Sequence, residues 1–328
     1  MPCREKPIMD LATLAKELHS LESVDKSDFQ RQARILQSLW RQEQGIPPGE
    51  HRWKTQDGVI RTRPLGSRLP MPWAQESLAN FLTDKIREEV RSEVIDQKNS
   101  AGKLFGKPRI FNDLLSSQPL CFNLFGELAN DLPLASIMVN DFTGGRFSVV
   151  VAISFEHSPG RGDPRYLEDR SAFDVFLHCR TATGEEGFVA IEVKYHENMA
   201  GKPGAHKPRY DEVADMMGCF SGDRRLLQTA PLQQIWRDHL LAGITRLVDG
   251  YADGLFVMLS PRDNHHVSDA VGGYREQLTD SSSFEAWSLE GVVEKLKEHS
   301  DAAWIEAFND RYLAFEKIER LLSKAPGV

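Results

Sequence analysis

Between Ser27 and Arg41 the apolar residues Phe29, Ala33, Leu36 and Trp40 recur at three- and four-residue spacing, with Gln and Arg between them. That period predicts an amphipathic helix. Ile46-Pro47-Pro48-Gly49-Glu50 ends it, because proline lacks the amide hydrogen and clashes with the preceding turn. A second helix is expected from about Gln75 to Val94, so the first 110 residues read as mainly helical. Residues 116–131, opening on Ser with Leu120, Leu124 and Leu128 on one face, predict another helix.

The period then changes. Residues 146–156, 172–181 and 187–195 are rich in β-branched and aromatic side chains and are separated by glycine-containing turns, which predicts three strands. Residues 231–247 carry a helical stripe and open on Pro231. Residues 254–261 are continuously apolar, as a strand buried on both faces is. From Phe284 onward the chain reads as helix again, with Trp304, Phe308, Tyr312, Phe315, Ile318 and Leu322 in one packing stripe. The order helix, three strands, helix, strand predicts an α/β core with a mixed sheet. Three regions are expected: mainly helical over 1–110, the core over 111–265, and a helical region over 266–328 packed on that core.

Composition adds limits. With 328 residues, 41% hydrophobic and 27% charged, the chain is globular rather than disordered. No apolar stretch approaches the roughly 18 residues of a membrane helix, and the N-terminus lacks the basic start and apolar core of a secretory signal. Cys3, Cys121, Cys179 and Cys219 show no zinc spacing. A cytoplasmic protein with no structural zinc and no membrane partner is expected. The net charge of −8 weighs against a protein that coats nucleic acid. The charge is uneven, however: residues 51–110 carry 12 Lys and Arg against 7 acids, and residues 262–328 carry 8 against 13. Nucleic-acid contact is thus expected in a local basic groove.

The chemistry concentrates in Phe173-Asp174-Val175-Phe176-Leu177 and Ile191-Glu192-Val193-Lys194-Tyr195. Side chains alternate along a strand, so Glu192 and Lys194 share a face. An antiparallel hairpin turning near residue 183 sets Asp174 opposite Glu192. Phe176 and Ala190 then flank the carboxylates, while Phe173, Val175, Leu177, Ile191 and Val193 fill the other face. Adjacent carboxylates on an apolar surface repel unless a cation or a shared proton intervenes. A hard divalent cation, Mg2+ or Mn2+, meets that demand, with Lys194 placed to orient or deprotonate the attacking water. A bare Asp and Glu-x-Lys pattern is weak by itself; its place on consecutive predicted strands strengthens it.

The run from Phe155 to Leu177 together with Gly187 to Glu197 resembles the active-site hairpin of the PD-(D/E)XK, restriction-endonuclease-like superfamily. It is similar in particular to a bacterial group of restriction-endonuclease-like proteins. Ser116–Leu128, Pro231–Gly243 and Arg31–Gly49 extend the likeness over most of the chain. The resemblance implies a nuclease core over 111–265, Asp174 and Glu192 as metal-binding acids, and Lys194 as the catalytic lysine. It implies a nuclease-type site without naming a substrate; the leading expectation is a phosphodiesterase acting on DNA, an endonuclease rather than an exonuclease. Phe173 stands where the superfamily pattern has Pro, at a position that tolerates change.

Supporting residues follow. Glu156 ends the first strand and is a candidate third metal ligand. Arg161 and Arg165, in the loop before Asp174, are candidates for the substrate backbone, as are Gln234 and Arg237, three apart on the 231–247 helix. By alternation His196 shares the face of Glu192 and Lys194 as a candidate proton relay. Lys202, Lys207 and Arg209 form a basic stretch beside the site. His265-His266 reads as an exposed loop pair. A homodimer is compatible with these features. Two rivals stand beside the nuclease: a catalytically silent module that keeps the fold and grips nucleic acid, and a two-carboxylate glycosidase, which leaves Lys194 without a role.

Overall fold

The computed structural model describes residues 10–323; Cys3 lies outside them. Helix α1 spans Leu11–Glu17 and α2 spans Asp28–Glu43. Ser27 caps α2 reciprocally: its hydroxyl accepts from the Gln30 amide at 3.2 Å, and the Gln30 side chain accepts from the Ser27 amide at 3.2 Å. After the proline stop come β1 (Gly49–Lys54) and β2 (Ile60–Leu65), an antiparallel hairpin where helix is expected. Its side chains are exposed on both faces, so it lacks the one-sided alternation by which a strand is read.

The single helix expected over 75–94 is broken. Helix α3 covers Trp73–Ser77, Leu78 takes a left-handed φ of 53°, and α4 restarts at Asp84–Val90, continued by a π-type turn. Thr83 begins that restart by accepting from the Ile86 amide at 3.2 Å. Helices α5 (Arg109–Asn112), α6 (Ser117–Ala129) and α7 (Leu132–Phe142) follow.

Next come β3 (Phe147–His157), β4 (Phe173–Thr181), β5 (Glu186–Val193), α8 (Pro208–Met217), α9 (Leu232–Asp249), β6 (Asp253–Ser260) and α10 (His265–Arg275). Strand β7 (Phe284–Ser288) then occupies the start of the stretch expected to be helical. Five residues are too few to display a period, and parallel pairing with β6 decides the matter. Helices α11 (Leu289–His299), α12 (Ala303–Tyr312) and α13 (Glu316–Ser323) complete the described chain.

The sheet runs β3-β4-β5-β6-β7; its first two pairings are antiparallel and its last two parallel. This is an α/β fold with a mixed central sheet flanked by helices. Strand β6 is buried on both faces: Leu255, Val257 and Leu259 face the α4, α6, α7, α11 and α12 side, and Phe256 and Met258 face α8, α9 and α10. Phe173 packs with Phe176 and Phe256 on the α9 side, not with Val175 as alternation suggests, because β4 only begins there. The aromatic stripe is divided between two helices. Phe308 and Tyr312 of α12 join the sheet core, while Ile318 of α13 packs with Leu14, Leu18, Ile35 and Leu36.

Arg311 ties the two ends of the chain together. It is fully buried, donates to the Asn80 carbonyl at 2.8 Å, the Asn80 Oδ1 at 2.5 Å and Gln37 Oε1 at 3.2 Å, and lies 4.1 Å over the Trp40 ring. Truncation leaves Asn80 Oδ1 and Gln37 Oε1 buried without that donor, while the Asn80 carbonyl keeps Asn123 at 3.0 Å. Arg311→Ala is expected to lose about 3 kcal/mol or more in urea unfolding; a loss below about 1 kcal/mol contradicts this role.

Candidate active site

Strands β4 and β5 pair from Val175↔Ile191 to Arg180↔Glu186, the register expected from a turn near residue 183. The ladder stops there. Asp174 does not continue it; its Oδ2 accepts from the Val193 amide at 2.9 Å, so a side chain takes the place of a backbone partner. Beyond Val193 the chain is held by β6, with the Lys194 amide donating to the Leu259 carbonyl at 2.9 Å. The site therefore sits where the antiparallel half of the sheet parts and the parallel half takes over.

Glu192 and Lys194 are both buried, at 6% and 8% exposure. Lys194 Nζ donates to Glu192 Oε1 at 2.6 Å, and Gln234 of α9 donates to the same oxygen at 2.7 Å. Burial disfavours the lysine's charge, but Glu192, Glu197 and Asp174 outweigh it and carry the ammonium above its ordinary range. The Asp174 carboxyl is pushed well up by burial and then by Glu192, against the pull of Lys194 and the Val193 amide. Glu156 is raised for the same two leading reasons, burial and then Glu192. Helix α6 backs the group, and its Cys121 thiol is driven well up by burial and by Asp174.

The other expected residues divide. Glu156, the penultimate residue of β3, takes a φ of 50°, and its carboxylate accepts from Gln118 at 3.4 Å and lies 4.0 Å from Arg161. Both terminal nitrogens of Arg161 are buried without a hydrogen-bond partner. Arg165 points elsewhere; it is largely exposed and paired with Asp163 at 2.7 Å. Gln234 and Arg237 share the site-facing side of α9 and line a cavity of about 300 Å³ with Lys194, Glu197 and Lys202. Lys207 and Arg209 instead donate to carbonyls of the 160s loop.

His196 leaves the face of Glu192 and Lys194. Strand β5 ends at Val193, Glu197 folds back to accept the Tyr195 and His196 amides at 2.8 and 3.0 Å, and His196 meets Asp25 at 2.9 Å. His265 and His266 open α10 rather than a loop.

Two residues escape the sequence reading. Gln118 reaches Glu156 from α6. Asp238, one turn from Gln234 on α9, is 2% exposed, and its Oδ2 has no partner. Burial and then Glu192 raise its carboxyl well above the usual range. Four-residue spacing from Gln234 is the signal that finds it.

Asp174, Glu192 and Glu156 do not bring three carboxylate oxygens within 4.8 Å of one another; among the described residues Asp141, Glu298 and His299 form such a group, exposed on α7 and α11. At the trio, Lys194 and Gln234 hold the one Glu192 oxygen. Asp174 Oδ1 and Glu192 Oε2 accept no protein hydrogen bond among the described residues. The donor set is hard oxygen, which suits Mg2+ or Mn2+.

A family model described as the PD-(D/E)XK nuclease superfamily matches residues 23–314, most of the chain. No curated protein and no solved structure matches.

The raised Asp174 carboxyl has a consequence for stability. The folded chain binds that proton more tightly than the unfolded chain, so the contribution is complete at low pH and is lost as pH rises through the folded value. In chelator at pH 8, Asp174→Asn is expected to melt about 2–4 °C above the parent, with the gap closing toward pH 4. An equal or lower melting temperature at pH 8 contradicts the assigned electrostatics.

Proposed function

The chain belongs to the PD-(D/E)XK nuclease superfamily, and from that premise we propose that it is a metal-dependent endonuclease hydrolysing phosphodiester bonds of DNA. The observation that carries the reading is the buried Glu192–Lys194 pair beside Asp174. A buried ion pair adds little net stability, because desolvating both charges costs about what their attraction returns. Chemistry at that position gives it a reason to be there.

Asp174 and Glu192 would hold Mg2+ or Mn2+, each through the oxygen that accepts no protein donor, with Glu156 as an outer carboxylate. A divalent cation supplies neutralisation of the phosphoryl group and acidification of water. The protein's own residues do the rest. Lys194, held against Glu192 at 2.6 Å, is placed to orient the attacking water and to offset charge on the phosphoryl oxygens. Gln234 fixes the Glu192 carboxylate, as outer hydrogen bonds fix metal ligands generally. Arg161, beside Glu156 in the loop before β4, and Arg237, which lines the cavity with Lys194 from α9, serve the phosphates.

The test is cleavage of plasmid and linear DNA by purified protein with Mg2+, with Mn2+ and with chelator. Asp174→Ala and Lys194→Ala are expected to lower the rate at least about 10²–10³-fold, and Gln234→Ala about 10–100-fold. Cleavage that persists in chelator, or that survives Lys194→Ala unchanged, overturns the mechanism.

A further inference from the structure

The β1–β2 hairpin stands apart from both cores. Its register runs from Gly49↔Leu65 to Lys54↔Ile60, and the turn closes with Gly58 donating to the Thr55 carbonyl at 3.0 Å. Residues 49–65 hold four Lys or Arg against two acids in a chain whose net charge is −8. Val59 and Ile60 near the tip are 50% and 60% exposed, so the tip buries nothing against the protein.

The base of the hairpin is fixed and the rest is free. Glu22 accepts from Arg63 at 2.6 Å and meets His51 at 3.0 Å, tying one carboxylate to both strands. Arg52, Lys54 and Arg61 are exposed and, among the described residues, meet no carboxylate. Paired residues share a face. Arg52 and Lys54 therefore lie on one face with Thr62 and Ile60, and Arg61 lies on the other with Trp53. Cations thus project from both sides of a two-stranded ribbon.

The ribbon borders a hollow that shares a residue with the cavity at Lys194. His51 and Leu65 line a cavity of about 270 Å³ with Arg68, Ser116, His196 and Glu197. Glu197 also lines the cavity that reaches Lys194, so one residue borders both hollows.

We propose that the β1–β2 hairpin is a DNA arm, a basic ribbon that enters the major groove of duplex DNA and holds the duplex against Asp174, Glu192 and Lys194. The proposal rests on the nuclease reading and deepens it by naming the substrate as double-stranded DNA. The fit is geometric and electrostatic. A six-residue strand is about 20 Å long, and the B-form major groove, about 12 Å wide, admits a two-stranded ribbon. Cations on both faces meet the phosphates of both groove walls. A single-strand surface would instead offer a series of open aromatic faces for base stacking, whereas Trp53 is the one Phe, Tyr or Trp among residues 49–65. Duplex RNA is disfavoured, because its major groove is too deep and narrow for side chains to read.

The experiment is fluorescence-anisotropy titration of the full chain, in chelator, with a short labelled DNA duplex, its single strand and the RNA duplex of the same sequence. The parent is expected to prefer duplex DNA. Arg52→Ala/Lys54→Ala/Arg61→Ala is expected to weaken that binding at least about 10-fold and to lower the slope of log K against log salt by about two to three. A control on exposed cations elsewhere, Lys295→Ala/Arg320→Ala, should bind as the parent does, and all variants should melt with it. Triple-variant binding within about two-fold of the parent overturns the arm. So does an equal loss on single-stranded and duplex DNA, or a parent that prefers single strands or RNA. Cleavage assays separate the two readings: duplex DNA cut normally with unchanged binding by the triple variant sinks the arm alone, while arm-dependent binding without metal-dependent cleavage sinks the nuclease reading alone.

Discussion

The ion pair between Lys194 and Glu192 is the constraint around which the site is arranged. It is buried at the edge where β5 leaves its antiparallel partner and is held by β6 alone. Two charges there need every available compensation. Gln234 supplies a second donor to Glu192, Glu197 folds back near the lysine, and Asp174 anchors itself on the Val193 amide. Without these partners the cost of burying the pair would exceed its attraction.

That arrangement also explains the crowd of acids with raised pKa values. Asp174, Glu156 and Asp238 each lose solvation and then feel Glu192. One ammonium cannot satisfy four carboxyl groups, and the surplus negative charge is what a divalent cation relieves. The distant contact between Arg311 and α2 serves the same centre indirectly. Gln37 bridges Arg311 and the Tyr195 hydroxyl, so the residue after the lysine is braced by both ends of the chain.

Much of this was legible in the sequence where periodicity is strong. The α2 and α9 helices, the doubly buried β6 and the β4–β5 register follow from apolar spacing and turn position. The failures have physical causes. The β1–β2 hairpin carries no buried face, so alternation says nothing about it. β7 is too short to show a period and owes its form to β6. Alternation does not extend past the end of β5 to His196, because Glu197 turns the chain there toward Asp25. Arg165 is as basic as Arg161 in sequence, and only its local pairing with Asp163 removes it from the site. Asp238 is legible only through its four-residue spacing from Gln234, because a lone acid in an apolar helix does not by itself tell which wall it faces.

The proposed divalent-cation site is the buried trio and not the exposed acidic group on α7 and α11. Mn2+ binding followed by electron paramagnetic resonance tests it directly. Asp174→Asn or Glu192→Gln is expected to abolish the tightest site, while Asp141→Asn/Glu298→Gln leaves it intact. Mn2+ held undiminished by the first two variants and lost from the third would contradict it.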